Sequence, residues 1–287
     1  MKTIDDIHKI AVVGAGVMGR GIALAAAMVG YDVILFDIKQ EVLDKSAAYF
    51  DKFLSKSIAR GKITEAQKPQ IIGAIQLTTE MDDLIADVII EAILENLELK
   101  QKVLGQLENQ NTVTTIIASN TSTIPITKIG AGLRRPQNLI GMHFFNPAPI
   151  MKLVEVISGA ETAEWVSDVT FALAEKMRKK PVHAADEPGF IVNRVARHFY
   201  VESLKILEEN VADHETVDRL MQASGFRMGP FQLLDLIGIE TNHEVTKSLY
   251  NSFFQDEKFR PSRVQQKKVD AGHWGRKTGR GFYTYES

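Results

Sequence analysis

Lys9-Ile-Ala-Val-Val13, Gly14-Ala-Gly16-Val-Met-Gly19, the segment Arg20 to Gly30 and Asp32-Val-Ile-Leu-Phe-Asp37 form the stretch on which the reading of this chain turns. Lys9 to Val13 is a short continuous apolar run, as a strand buried on both faces shows. The glycines follow at G-x-G-x-x-G spacing, a helix-forming segment runs from Arg20 to Val29, and Gly30 ends it. Asp32 to Phe36 is a second buried strand closing on Asp37, 18 residues after Gly19. Gly14 permits the tight turn, Gly16 lets the backbone approach a pyrophosphate, and Gly19 lets helix pack closely on strand. Val17 and Met18, between the second and third glycines, are counted with the cofactor contacts, and the N-terminus of the helix that follows faces the phosphates. A glycine-rich turn without a ligand is the alternative, but a strand before, a helix after and an acid at the end of the next strand make this a dinucleotide unit. Asp37 is placed to bond the ribose hydroxyls, and its charge opposes a 2′-phosphate, so NAD is expected; Lys39 nearby pulls towards NADP.

The 287 residues suffice for two domains, and 45% hydrophobic with 24% charged residues is ordinary globular composition. With 34 basic against 36 acidic residues, no global field draws the chain to nucleic acid or a membrane surface. The absence of cysteine excludes disulfides, thiolate catalysis and Cys-ligated zinc, and no metal is expected. Residues 10–36 are apolar enough to suggest a membrane span, but Gly14, Gly16, Gly19, Arg20, Gly21 and Asp32 interrupt them. No signal-peptide pattern follows Asp5 and Asp6, and a cytoplasmic protein is expected.

Outward from the first unit, further strands are predicted over 87–92, from Ile116, over 139–144 and over 153–157. Helices are predicted over 39–60, over 63–75, around Lys100 and Lys102, near Ile124 and over 163–179. Lys52, Lys56 and Arg60, at i, i+4 and i+8, share one face of the 39–60 helix; the row is either a solvated face or a phosphate site. The carboxyl ends of the strands face the ligand crevice of a doubly wound sheet, so 91–95 border the nicotinamide half. The cluster Ser119-Asn120-Thr121-Ser122 stands at such an end, where one or two of its side chains are accounted for as helix caps. Gly141-Met-His-Phe-Phe-Asn146-Pro and Met151-Lys-Leu-Val-Glu155 set His143 and Glu155 at comparable heights on two strands joined by a Pro-rich turn. A histidine beside a carboxylate is a tunable proton acceptor, although the same pair also fits a core histidine and a solvated glutamate.

Asp186-Glu-Pro-Gly189 carries the domain boundary, and beyond it the pattern is helical only: 190–209, 213–223, 231–237, 241–255 and 262–271. The glycines and aromatics of Gly275 to Tyr285 suggest a docked tail. The fold expected is therefore α/β, an N-terminal doubly wound Rossmann-type sheet domain over 1–187, followed by an all-α domain over 188–287.

Gly14-Ala-Gly-Val-Met-Gly-Arg-Gly-Ile-Ala23, Ser119-Asn-Thr-Ser122, Gly141-Met-His-Phe-Phe-Asn-Pro147, Met151-Lys-Leu-Val-Glu-Val156, Pro188-Gly-Phe-Ile-Val-Asn-Arg194 and Met228-Gly-Pro230 together resemble one family along nearly the whole chain. That family is the L-3-hydroxyacyl-CoA dehydrogenases, including the 3-hydroxybutyryl-CoA enzymes. The resemblance implies NAD-dependent, reversible oxidation of a 3-hydroxyacyl-CoA to the 3-ketoacyl-CoA, and a helical C-terminal domain that contacts substrate and forms a homodimer. It implies His143 as general base, Glu155 as its partner, and Ser122 and Asn193 as hydrogen-bond donors to the substrate oxygens. Glu95, Lys100, Asn120 and Ser122 fall on the cofactor side, and Asn146 on the substrate side. Phe53 and Arg60 stand where the family has a serine and a lysine that contact CoA. Asn193-Arg-Val-Ala-Arg197-His-Phe-Tyr and Thr241-Asn-His-Glu-Val-Thr246 look more like the 3-hydroxyadipyl-CoA dehydrogenases of phenylacetate breakdown than like the butyryl enzymes of fatty-acid β-oxidation. Arg197, one helical turn beyond Asn193, is either a contact for the distal carboxylate of a dicarboxylic acyl chain or a surface or interdomain salt bridge. Two other functions stay open at this point: a dehydrogenase of a non-CoA hydroxy acid or sugar on the same scaffold, and a dinucleotide-binding structural or regulatory protein without turnover.

Overall fold

In the computed structural model, which describes residues 1–286, the chain divides into two compact units, Met1–Glu187 and a second beginning at Pro188. Among the described residues the first unit holds one sheet of eight strands: β1 (Lys9–Val13), β2 (Asp32–Phe36), β3 (Ile75–Thr78), β4 (Val88–Glu91), β5 (Ile116–Ser119), β6 (Leu139–Phe144), β7 (Leu153–Ser158) and β8 (Lys180–Ala185). Their order is β3-β2-β1-β4-β5-β6-β7-β8. All neighbours from β3 to β6 are parallel, β7 runs antiparallel to β6, and β8 is parallel to β7. The order reverses between β1 and its neighbours β2 and β4, which opens the crevice at the carboxyl ends of these strands. β1 lies at that point, and Ile10, Ala11, Val12 and Val13 are fully buried there.

Helices α1 (Val17–Ala27), α2 (Gln40–Ala59), α3 (Gln67–Gly73), α4 (Leu97–Gln110), α5 (Ile126–Gly130) and α6 (Glu164–Lys176) connect the strands. Two strands depart from the sequence expectation. The helix predicted over 63–75 is only α3, after which the chain becomes β3, a four-residue strand at the sheet edge. The helix predicted over 163–179 ends at Lys176, and β8 occupies the opposite edge with mostly exposed or half-buried residues. Edge strands are short or exposed, so neither shows the continuous apolar run that marks a central strand.

The second unit contains α7 (Val192–Glu208), α8 (His214–Ala223), α9 (Pro230–Ile237), α10 (Ile239–Ser252) and α11 (Arg263–Asp270). Its core joins Tyr200, Leu204, Phe231, Leu234, Ile239 and Phe282. The glycine-rich tail is fastened by buried Asp235, whose carboxylate accepts from the backbone N–H groups of Phe282 and Tyr283 and from the Tyr285 hydroxyl. A Cβ at Gly281 would lie 2.0 Å from Asp235 Oδ1, so the backbone there approaches the carboxylate too closely for any side chain. No helix of the described residues is long and apolar enough to cross a membrane.

Candidate active site

The site grows from the carboxyl ends of β1, β4, β5 and β6. Gly14 leaves β1 at φ +97°, a left-handed conformation, and a Cβ there would lie 2.8 Å from the Ala92 carbonyl oxygen. A Cβ at Gly19 would meet the Gly14 carbonyl oxygen at 1.7 Å, which is how α1 comes so close to the strand. Gly16, the N-cap of α1, faces open space instead. Val17 is exposed and Met18 packs against the core. Asp37 closes β2, and its carboxylate accepts from the backbone N–H groups of Ala15 (2.9 Å) and Lys39 (3.1 Å). Open space at a helix N-terminus beside a tethered carboxylate fits the pyrophosphate and ribose of a dinucleotide.

The next wall is built on carboxylates. Glu91, fully buried at the end of β4, accepts from Lys100 Nζ (2.6 Å), Ser119 Oγ (2.6 Å) and the Ile93 backbone N–H (2.8 Å). Lys100, equally buried, also lies 3.3 Å from Glu95 Oε2. Glu95 Oε1 accepts from Thr121 Oγ1, Thr123 Oγ1 and the backbone N–H groups of Ser122 and Thr123, all within 2.7–3.0 Å. Burial pushes the Glu95 carboxyl up, but the Lys100 charge and these hydrogen bonds outweigh it and hold the group below its ordinary value. Glu95 therefore fixes the backbone around Ser122, while Lys100 is a buried counter-charge.

His143 and Glu155 stand directly opposite each other in the β6–β7 register. His143 Nδ1 lies 2.7 Å from Glu155 Oε2; the histidine is buried and the glutamate fully so. Phe145 packs on the imidazole with ring centroids 4.6 Å apart. Asn120 joins the two neighbouring strand ends, its side-chain oxygen accepting from the Phe144 backbone N–H at 2.8 Å. The structure thus places Asn120, Ser122, His143 and Glu155 on or next to strand ends of one unit, with Glu95 in the loop before α4 and Lys100 on α4, while Asn193 lies in the first turn of α7 in the other.

Capping differs from the sequence expectation. Thr121 Oγ1 accepts from the Ile124 N–H, but α5 begins two residues later and is capped by Asp186, which accepts from Ile126 and Thr127 N–H at 2.7 Å each. A cap supplied from about 60 residues away leaves no local pattern. Glu91 was detectable only as the one charge in a buried run, Val88-Ile-Ile-Glu91.

Beside the crevice, a groove of about 860 Å³ runs along α1, α2 and the 146–152 turn. Lys56, Arg60 and Asn146 line it, as do Tyr49 and Phe53. Lys52 does not; it is exposed, rotated off the stripe that Tyr49, Phe53, Lys56 and Arg60 present. Arg20, Lys62, Lys152 and Arg178 bring further cations, and among the described residues no acidic side chain lines the groove.

Residues 9–187 match the model of the 3-hydroxyacyl-CoA dehydrogenase NAD-binding domain, and 189–285 match that of the family's C-terminal domain. The chain belongs to the 3-hydroxyacyl-CoA dehydrogenase family. It is 42% identical over 284 residues to 3-hydroxyadipyl-CoA dehydrogenase of Escherichia coli, covering 98% of this chain and 60% of that protein. Against a probable 3-hydroxybutyryl-CoA dehydrogenase of Deinococcus radiodurans it is 41% identical, covering 96% of this chain and all of the relative. The crystal structure of (S)-3-hydroxybutyryl-CoA dehydrogenase from Ralstonia eutropha superposes with a TM-score of 0.94 at 40% identity, over 98% of this chain and 100% of that one. NAD is accordingly the cofactor, and the chain is an oxidoreductase of this family.

Glu91→Gln should lower stability by about 3 kcal/mol, because it leaves the buried Lys100 ammonium a single, more distant carboxylate. Urea unfolding checks this; a loss below about 0.5 kcal/mol would show that Glu91 does not hold the wall.

Proposed function

We propose that this protein oxidises a (3S)-3-hydroxyacyl-CoA with NAD, reversibly, using His143 as the general base. The observation that carries the proposal is the His143–Glu155 pair, 2.7 Å apart and buried on β6 and β7 of the sheet whose β1 leads into the dinucleotide loop. The bound nicotinamide supplies the hydride acceptor. The chain's own task is to remove the hydroxyl proton as hydride leaves C3. A carboxylate at Nδ1 holds the imidazole proton on that nitrogen, so Nε2 carries the lone pair that accepts the substrate proton. The imidazolium that forms is stabilised by Glu155, and Phe145, tilted against the imidazole, restrains the ring. Ser122 and Asn193 are assigned to hold the substrate oxygen, the orientation part of the rate.

The groove favours a CoA thioester over a free hydroxy acid. Lys56, Arg60, Lys62, Lys152 and Arg178 form no ion pair among the described residues, in a chain of net charge -2. Cations gathered without carboxylates suit a ligand bearing several phosphates.

Within that class, Arg197 supports a dicarboxylic acyl chain as a substrate. It forms neither a surface contact nor a salt bridge among the described residues: it is 3% exposed, and its Nη1 donates to Asn242 O (2.9 Å) and Thr246 Oγ1 (2.8 Å) on α10. The two segments that set this chain apart from butyryl enzymes therefore touch each other. Its Nε has no partner, and burial lowers the guanidinium to about 10, against the smaller opposing effect of Tyr200. A buried cation without a carboxylate suits a ligand that brings one, and the Escherichia coli relative acts on 3-hydroxyadipyl-CoA.

A homodimer through the helical unit is part of this reading, supported by exposed Val195, Leu220, Leu236 and Ile237 on its helices.

Three measurements test these assignments. His143→Gln should leave NADH affinity within about twofold while kcat for acetoacetyl-CoA reduction falls by at least 10²-fold, roughly the general-base contribution; near wild-type turnover would return His143 to the core. Arg197→Met should lower kcat/KM for 3-hydroxyadipyl-CoA relative to 3-hydroxybutyryl-CoA by about 30-fold, and an unchanged ratio would remove Arg197 from the acyl site. Light scattering should give twice the 32.0 kDa chain mass, and a monomer at micromolar concentration would contradict the dimer.

A further inference from the structure

Lys179 is a buried lysine without a carboxylate partner, and it stands behind the turn that joins the two strands of the proposed acid–base pair. It follows Arg178, whose φ of 58° turns the chain sharply out of α6 and into β8. Its ammonium donates to the carbonyl oxygens of Ala148 (2.5 Å) and Met151 (3.0 Å). The turn itself closes on Pro147 O, which accepts from Ile150 and Met151 N–H. On the other side of the turn is α1, where a Cβ at Gly21 would come within 3.2 Å of Ala148 Cβ and 3.3 Å of Pro149 Cδ. The connection between His143 and Glu155 is thus held between the cofactor helix and one lysine.

An ammonium has three N–H donors, and two carbonyls engage two of them. Lys179 also lines the cationic groove. Burial, and then the nearby Lys152 charge, lowers its ammonium to about 8. The charged groups sharing the groove are all cations: Arg20 on α1, Lys56 on α2, Arg60 at its C-cap, then Lys62, Lys152 and Arg178. Tyr49, the other titratable group there, is raised by burial against the opposing Arg20 charge and stays neutral near pH 8. Apart from the two carbonyl oxygens, no group of the chain in this groove favours the charged lysine, and no carboxylate lines it; an anionic occupant does.

We infer that Lys179 is a positioning residue that couples this turn to the groove: a ligand bearing several phosphates holds Lys179 charged, and charged Lys179 holds the turn against α1. The inference rests on the acyl-CoA reading above. Its sign follows from linkage. With the groove empty the lysine loses its proton as pH rises through about 8, whereas a bound polyanion keeps it charged to higher pH. Binding therefore takes up a proton, and affinity falls as pH rises through that range.

Titration calorimetry with acetyl-CoA, which has no C3 oxygen to reduce, reads this directly. Between pH 7 and pH 9 the wild-type affinity should fall about tenfold. Lys179→Arg, whose guanidinium stays charged, should bind without that fall, and Lys179→Met should bind about tenfold more weakly at pH 7 and show no fall. NADH affinity should stay within about twofold in both variants. A flat wild-type profile, a fall retained in Lys179→Arg, or an equal loss of NADH affinity overturns the inference; the first of these requires no variant to fold. If instead S-acetylpantetheine binds the wild type as tightly as acetyl-CoA at pH 7, it is the acyl-CoA reading that fails.

Discussion

A slip of one residue between β6 and β7 would send His143 and Glu155 to opposite faces of the sheet, because side chains alternate along a strand. The antiparallel register that pairs them directly is therefore the constraint on which the site depends. It is secured where the hairpin turns, from two sides. At the strand end, Asn120 bonds the Phe144 N–H; at the turn, Lys179 gathers two carbonyls while Ala148 rests on α1 at Gly21. The turn that follows His143 and the helix that follows the dinucleotide loop are therefore in direct contact within the first unit.

Charge in this unit is segregated. The carboxylates Glu91 and Glu95 are gathered inside the crevice wall and answered by Lys100, so that each strand-end loop is fixed by backbone N–H donors to a carboxylate oxygen. The groove next to it holds cations that no carboxylate answers. Most of these cations are exposed, so water screens their mutual repulsion, and only Lys179 among them is buried. Arg197 in the helical unit is buried as well, and it bonds a carbonyl and a hydroxyl where a carboxylate is the usual partner of a buried cation.

The central strands and the dinucleotide loop were legible because burial on both faces writes itself as apolar runs, and because Gly14 and Gly19 stand where no other residue fits. His143 and Glu155 were legible as a pair because two apolar runs flank a short Pro-bearing turn. What was not legible depends on distance or exposure. β3 and β8 lie at the edges and carry no continuous apolar run. Asp186 caps α5, and Lys179 clamps the turn, across 59–60 and 28–31 residues. Lys179 sits in a run of cations at 176–180 that reads as a solvated surface until the fold buries it. Lys52, Lys56 and Arg60 are all exposed, and of the three Lys52 lies outside the groove that the other two line.

The most direct test of the account is a crystal structure of the protein with NAD and acetoacetyl-CoA. The C3 keto oxygen is predicted to lie within hydrogen-bond reach of His143 Nε2, at about 2.6–3.2 Å, with Nδ1 still on Glu155 and the phosphates of CoA among Lys56, Arg60 and Lys152. A keto oxygen out of reach of that nitrogen, with the thioester lying elsewhere, would contradict it.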